Sequence, residues 1–140
     1  MSADSPQIAR MKKDRFICDL IGIRLEEAGV GFARSSLLLR DNHLNGLGVV
    51  QGGVLYSIAD FTFAAAGNWD TPMIGIDTTI SFLKSVKSGT VFAEAKEVSR
   101  TGRFSVCEVR VTDEKQNLLA LFVGRGYLLP PPKESREQES

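Results

Sequence analysis

The chain has 140 residues, 17 of them basic and 17 acidic, so its formal net charge is zero, and 43% of its residues are hydrophobic. This profile is typical of one globular domain, which at this length buries roughly 70% of the surface that its unfolded form exposes. The balanced charge argues against a broad basic face, and so against nucleic acid as a partner. No apolar run reaches the ~20 residues that a membrane helix needs, and residues 1–20 lack the apolar core of a secretory signal.

The counts of cysteine and histidine restrict the chemistry further. Two cysteines, Cys18 and Cys107, cannot make a disulfide framework, and a reduced cytoplasmic setting fits them best. The only histidine is His43. A single histidine excludes a histidine-rich metal site and argues against a Ser-His-Asp triad, so we expect no metal in the site.

The N-terminal part has the pattern of a helix followed by strands. Ser5 and Pro6 have the sequence of an N-cap with proline at the first helical position, and the apolar residues that follow predict a partly amphipathic helix ending at Gly22. Residues 23–40 predict a strand pair or one long bent strand, broken near two glycines. Residues 41–53, DNHLNGLGVVQGG, are a polar, glycine-rich loop.

The second half begins with a segment of different character. Residues 54–68, VLYSIADFTFAAAGN, are apolar nearly all round, which predicts a buried helix of about four turns. Four alternating segments follow, with connections short enough for antiparallel hairpins. From residue 130 the chain is proline-rich and then charged, and we expect a disordered tail. The predicted strands are Ile74–Lys84, Thr90–Ser99, Arg103–Asp113 and Leu118–Leu129.

This order of elements predicts an α+β domain in which a curved antiparallel sheet wraps around one long central helix, a shape known as the hotdog fold. In that shape the outer face of the sheet, or its edge, usually needs a partner. The predicted organisation is an N-terminal helix packed on the domain (1–22), the hotdog domain (23–129) and the tail (130–140).

Asp60 stands out because it lies in the most apolar segment of the sequence. An ionised carboxylate in such surroundings is costly unless it is paired or hydrogen-bonded. Helical spacing places Asp60 on a stripe of small or polar residues, where another backbone or a ligand can come close. A structural aspartate, bonded to a neighbouring strand or across a helix–helix contact, fits the same position equally well. The stripe consists of Gly53, Ser57, Asp60, Ala64 and Gly67.

Gly52 and Gly53 immediately precede the predicted helix. Backbone amides in a first helical turn lack an intrahelical partner and can bind a developing oxyanion, although an ordinary flexible helix start has the same sequence. Eight residues separate Gly52 from Asp60, about 12 Å along the axis, so one helix cannot apply both groups to one small carbonyl. Two antiparallel copies across a two-fold axis can, which predicts two equivalent sites in a dimer.

The run HLNGLGVVQGGVLYSIADFTFAAAGN (His43–Asn68) carries a family resemblance. It resembles the signature of the hotdog-fold acyl-CoA thioesterases of the phenylacetate-pathway (PaaI-like) type, relatives of 4-hydroxybenzoyl-CoA thioesterase. The pattern of that family is approximately H-x-N-x-x-G-x-x-H-G-G-x-x-x-x-L-A-D. The resemblance covers about residues 15–129 and keeps the spacing of the motif without gaps.

The resemblance implies a role for each residue of the motif. Asp60 would act as nucleophile or as general base on water, and Gly52 would supply the oxyanion-hole amide. Asn45 would position the water or the thioester, and His43, which opens the motif, would order the loop rather than act in catalysis. Gln51 stands where the family usually has histidine; it can donate a hydrogen bond to the thioester carbonyl but cannot carry a proton.

The resemblance also implies an acyl-CoA substrate, with coenzyme A as part of the substrate and no separate cofactor. The anionic nucleotide of coenzyme A needs local positive charge. Basic side chains beside two of the predicted turns fit this need, and solvated hairpin charges explain each of them as well. The residues expected to bind the substrate or its coenzyme A are Gly53, His43, Thr79, Lys84, Arg100 and Arg103.

One expected feature of the family is missing. Many relatives hold the attacking water with a serine or threonine near the carboxylate, but Ala64 lies one turn after Asp60 here. Thr62, Thr78 and Thr79 are the nearby hydroxyls that could substitute, and packing or β-propensity explains each of them as well.

The leading interpretation is hydrolysis of acyl-CoA thioesters by a cytoplasmic homodimer, which is expected to assemble further into a homotetramer. A non-catalytic acyl-CoA binder is the alternative from another class, kept open by Gln51 and the missing hydroxyl. A hydratase or dehydratase acting on acyl thioesters is the third reading, and Gln51 in place of histidine counts against it. The acyl group and the pathway stay open.

Overall fold

The computed structural model describes residues 5–130. In that range six strands form one antiparallel sheet, and the longest helix packs against its inner face. The helices are α1 (Pro6–Lys12) and α2 (Gly52–Gly67), and the strands are β1 (Arg24–Gly29), β2 (Phe32–Leu38), β3 (Met73–Phe82), β4 (Thr90–Thr101), β5 (Phe104–Thr112) and β6 (Leu118–Leu128). The order across the sheet is β1-β2-β4-β5-β6-β3. This arrangement confirms the predicted α+β hotdog architecture.

Helix α2 forms the centre of the core, as its apolar sequence predicted. Its buried side chains pack on the inward residues of β2, β4 and β5, where alanines such as Ala93 and Ala95 let the helix approach closely. The rings of Phe63 and Phe122 lie 5.7 Å apart between helix and sheet. Gly124 makes room for them, because a Cβ atom at that position would stand 2.9 Å from both rings.

The N-terminal region differs from the single helix that was predicted. Ser5 is the expected N-cap, since its Oγ accepts a hydrogen bond from the Ile8 N–H at 3.2 Å. However, α1 ends at Lys12, and a separate π-helical turn spans Phe16–Ile21. The side chain of Asp14 causes this break, because its Oδ1 accepts from the Ile17 N–H at 3.0 Å and so caps a new turn.

The strand connections are partly as predicted. Residues 23–40 form the strand pair β1–β2, and β4–β5 and β5–β6 are hairpins. The hairpin predicted between β3 and β4 is wrong, because β3 pairs with β6 at the far edge of the sheet. The connecting residues 83–89 instead pass the start of α2, where the Val50 N–H donates to the Val86 carbonyl at 2.9 Å.

Two further observations concern the ends of the chain and its helices. The predicted tail, 130–140, lies almost entirely outside the described residues, which end at residue 130. No helix between residues 5 and 130 is long and apolar enough to cross a membrane.

Candidate active site

The start of α2 presents one backbone donor. Gln51 is the N-cap, and Gly52 and Gly53 lie inside the helix rather than before it. The Gln51 Oε1 accepts from the Gly53 N–H at 2.9 Å, and the Gln51 carbonyl accepts from the Val54 N–H at 2.9 Å. Among residues 5–130 no acceptor faces the Gly52 N–H. This amide therefore points out of the positive end of the helix dipole with its hydrogen-bonding capacity unused.

His43 orders the loop that leads to this amide. Its ring is buried, its Nδ1 accepts from the Arg40 N–H at 3.0 Å, and its Nε2 donates to the Ile21 carbonyl at 2.8 Å. Both ring nitrogens are thus used inside the fold, which fits loop ordering. The His43 ring cannot make the expected contact with a substrate in this geometry, because it is buried and both of its nitrogens are already hydrogen-bonded.

Asn45 shapes the next turn of the same loop. Its Oδ1 accepts from the N–H groups of Leu47 and Val49 at 2.9 and 3.4 Å, and its own N–H donates to the Val49 carbonyl at 2.7 Å. The side-chain oxygen therefore serves the loop. Only the side-chain N–H₂ donor is left to face a substrate.

Asp60 lies half-buried on the face of α2 that the sheet leaves uncovered. Within residues 5–130 its carboxylate makes no hydrogen bond or ion pair, so the bond to a neighbouring strand that one alternative requires is not observed. A bond across a helix–helix contact with a second copy stays a prediction. Burial raises the pKa of Asp60, and the negative charge of Asp14 raises it further. A carboxylate that is unpartnered, half-buried and raised in pKa has the properties of a general base.

The hydroxyls proposed to substitute near Asp60 are engaged elsewhere. The buried Thr62 hydroxyl donates to the Ile58 carbonyl at 2.5 Å, and its Oγ1 also lies 3.0 Å from the Ser35 Oγ. Thr78 Oγ1 is hydrogen-bonded to the Tyr56 hydroxyl at 2.7 Å, on the helix side of the sheet.

Thr79 lies on the other side of the sheet. It follows Thr78 along β3 and pairs with Val123, and neighbouring side chains of a strand point to opposite faces. Within one chain its side chain therefore lies on the face of the sheet away from α2, and its expected contact with the substrate stays a prediction. The serine that does accompany Asp60 is Ser57, three residues earlier on the same stripe. The i, i+3 spacing was visible in the sequence, although no role had been assigned to it.

Lys84 lies at the Gly52 end of α2. It belongs to the segment that runs from Phe82 to Val86, and both ends of that segment touch the helix start. The ring of Phe82 lies 3.4 Å from where a Cβ on Gly52 would be, and Val86 bonds Val50. The charge of Lys84 acts on Asp113, whose pKa it helps to lower, and its expected contact with coenzyme A stays a prediction.

Arg100 lies at the opposite end of α2. Its Nη2 donates to the Gly67 carbonyl at 2.9 Å, its Nη1 bonds Asp70 at 2.8 Å, and its Nε bonds Glu97 at 3.1 Å. The guanidinium also lies 4.4 Å from the centre of the Trp69 ring. Arg100 therefore closes the C-terminal end of the helix.

Arg103 lies at the same end of α2 as Arg100. It belongs to the turn between β4 and β5, and these two strands are long enough to place the turn beyond the C-terminal end of α2. A helix of 16 residues is about 24 Å long, so neither arginine shares the Gly52 end within one chain. Their expected contact with coenzyme A stays a prediction, because the predicted site lies between two copies of the chain.

Both cysteine thiols have raised pKa values. Cys107 is fully buried, and burial raises the pKa of its thiol to about 11, which fits a small core residue rather than a nucleophile. Burial also raises the pKa of Cys18. Residues 5–130 contain no group of three histidine, cysteine, aspartate or glutamate side chains that could hold a metal ion.

Comparison with known proteins identifies the superfamily to which the chain belongs. The family model described as the thioesterase superfamily matches residues 47–120, more than half of the chain and the whole of α2. The chain belongs to this superfamily. A curated relative, the acyl-coenzyme A thioesterase PaaI of Escherichia coli, is 28% identical over 109 residues, which are 76% of this chain and 78% of that protein.

Solved structures of the superfamily share the fold. The TT0310 protein of Thermus thermophilus is 31% identical, with a TM-score of 0.80 over 84% of this chain and 99% of its own. The E. coli PaaI protein from the phenylacetic acid degradation operon is 25% identical, with a TM-score of 0.84 over 89% of this chain and 91% of its own. The chain is thus a hotdog thioesterase of the PaaI-like type.

Proposed function

We propose that this thioesterase hydrolyses acyl-CoA thioesters to a free acid and coenzyme A, at a site that two copies of the chain build together. One observation carries the proposal: the Gly52 N–H and the Asp60 carboxylate are both unpartnered within residues 5–130, yet they lie eight residues apart on one helix. At about 12 Å along the axis they cannot reach the same carbonyl. The amide of one copy and the aspartate of another can.

The edge of the sheet supports a two-fold partner. Among the described residues, 5–130, strand β3 pairs only with β6, and none of them pairs with the other side of its backbone. It also carries exposed apolar side chains, with Ile74 and Phe82 each 54% exposed and Ile76 47% exposed. An open edge with exposed apolar residues favours pairing with a second edge. Pairing β3 with β3 places the uncovered faces of two α2 helices beside one another in antiparallel order.

The reaction then follows from the two groups. The Asp60 carboxylate of one copy accepts a proton from water while the water oxygen bonds to the thioester carbon. The carbonyl oxygen becomes an oxyanion that accepts from the Gly52 N–H of the other copy. The C–S bond breaks as the carbonyl reforms, and the coenzyme A thiolate takes the proton from Asp60. A thiolate leaves readily because thiol pKa values lie near 8.5, so no histidine acid is required.

The surrounding residues have supporting roles in this proposal. Gln51 fixes the amide geometry through its cap on Gly53, and its Nε2 can donate to the carbonyl beside Gly52. Asn45 and His43 hold the loop before the helix. Lys84 supplies positive charge to coenzyme A at the same end of α2.

Release of free thiol from a panel of acyl-CoAs tests the proposed function. We expect catalytic turnover for at least one short-chain, long-chain or aromatic acyl group, with one thiol and one free acid formed per substrate consumed. A binding protein of the same fold would bind members of the panel and release no thiol. That second result, across the whole panel, would contradict the proposal.

The pH dependence of the reaction follows from the raised pKa of Asp60. The general base must be ionised, so kcat/KM is expected to fall as the pH drops through the pKa of Asp60. Because burial moves that pKa upward from its ordinary value of 3.8, the acidic limb lies above pH 3.8. A pH–rate profile on a substrate that is stable in acid measures it. A rate that stays constant down to pH 3.8 would exclude Asp60 as the base.

A further inference from the structure

We propose that Ser57 positions the attacking water for Asp60. This inference rests on the proposed function, since it concerns how the water of that reaction is held. The sequence lacks a hydroxyl one turn after Asp60, where Ala64 stands. Ser57 supplies one about one turn before it.

The placement of Ser57 comes from helix geometry. Residues three apart on a helix are surface neighbours, with Cβ atoms about 5–6 Å from each other. Ser57 and Asp60 both lie on the uncovered face of α2, and both are partly exposed. One water molecule can therefore bridge the Ser57 hydroxyl and the Asp60 carboxylate. Thr62 is buried on the other side of the helix, where its hydroxyl donates to the Ile58 carbonyl and contacts the Ser35 hydroxyl.

The hydrogen bond that Ser57 already makes fixes the direction of the next one. Its hydroxyl donates to the Gly53 carbonyl, with an Oγ–O distance of 2.8 Å. Because its only proton is used, Oγ can meet the water only as an acceptor. The ionised Asp60 is also an acceptor. The water must then donate one hydrogen to each, which leaves an oxygen lone pair directed away from the helix.

This orientation of the water suits its attack on the thioester carbon. The lone pair of the oriented water bonds to the thioester carbon, the proton on the Asp60 side passes to the carboxylate, and the proton on the Ser57 side stays with the new hydroxyl group. Ser57 is neither oxidised nor protonated. It acts by fixing the direction of the nucleophile, a contribution that appears in kcat rather than in substrate binding.

A pair of variants of equal shape tests the role of the hydroxyl. Ser57→Thr keeps the hydroxyl, which in a helix can also donate to the carbonyl four residues earlier. Ser57→Val gives a side chain with the same shape as threonine but without a hydroxyl. We expect Ser57→Thr to keep kcat within about threefold of the original chain and Ser57→Val to lose about tenfold, with KM unchanged in both. Equal kcat values for the two variants would overturn the proposal.

A second-site change separates water positioning from a structural role at Gly53. Ala64→Ser, made in the Ser57→Val background, puts a hydroxyl on the other side of Asp60, where its proton can go to the Asp60 carbonyl. We expect kcat to recover at least threefold. A hydroxyl at residue 64 cannot replace the hydrogen bond to Gly53. If kcat does not recover, the inference is overturned. Neither result bears on the proposed function, which is tested separately by thiol release from the acyl-CoA panel and by the Asp60→Asn variant.

Discussion

The Asp60→Asn variant is expected to lose about 10²- to 10⁴-fold in kcat on acyl-CoA, the range typical of removing a general base. Asparagine keeps the volume and the polarity of the side chain but cannot take a proton from water at neutral pH. Asp19→Asn is the matched control, since Asp19 is exposed and forms a surface ion pair with Arg15. We expect that control to keep full activity. Initial rates of thiol release measure both.

The same variant is expected to be more stable than the original chain at neutral pH. Burial raises the folded-state pKa of Asp60, so the folded chain favours the protonated carboxyl. The stability that this preference contributes is present in acid and is lost as the pH rises through the raised pKa. Asparagine has no charge to desolvate at pH 7. A higher Tm together with lost activity marks Asp60 as a catalytic group held at a cost in stability, and a lower Tm would instead indicate a structural role.

The Gly52→Pro variant is expected to lose about 10²- to 10³-fold in kcat, as other enzymes do when one oxyanion donor is removed. Gly52 occupies the first position of α2, where proline fits because the N–H has no helical partner. Gln51 already has φ −66° and ψ 131°, a conformation allowed before proline. The substitution therefore deletes one donor and leaves the helix intact.

Gly52→Ala is the matched control for the proline variant. It also adds a Cβ atom, which meets the Phe82 ring at the ordinary contact distance of 3.4 Å, but it keeps the N–H. We expect kcat of the alanine variant to stay within about fivefold of the original value, because the oxyanion donor is still in place. Equal rates for the proline and alanine variants, with equal Tm, would exclude the Gly52 amide as an oxyanion donor.

The central part of the fold and of the site could be predicted because local sequence determines it. A segment apolar all round is forced into the core, so α2 and the position of Asp60 on it followed from residues 54–68. The start of the helix was misplaced by two residues, because the N-cap is a glutamine, and glutamine is not among the preferred N-cap residues.

Contacts between distant parts of the chain were not predictable in this way. Nothing local shows that β3 pairs with β6 rather than β4, and that pairing decides which edge is open. The sequence suggests that Arg100 is a solvated charge in a turn. In the structure β4 is long enough to place its guanidinium at the Gly67 carbonyl. The inward or outward direction of Thr79 depended on the irregular pairing between Gly75 and Asp77, which shifts the alternation along β3.

Each site is proposed to combine Gly52 of one copy with Asp60 of another, and a mixture of two inactive chains tests this pairing. Asp60→Asn and Gly52→Pro chains are unfolded together in equal amounts and refolded. In a mixed dimer one site receives both intact groups and the other neither, so random pairing is expected to restore about a quarter of the original activity. If both groups act within one chain, every site lacks one of them. In that case the mixture stays as inactive as its components, which would contradict the account.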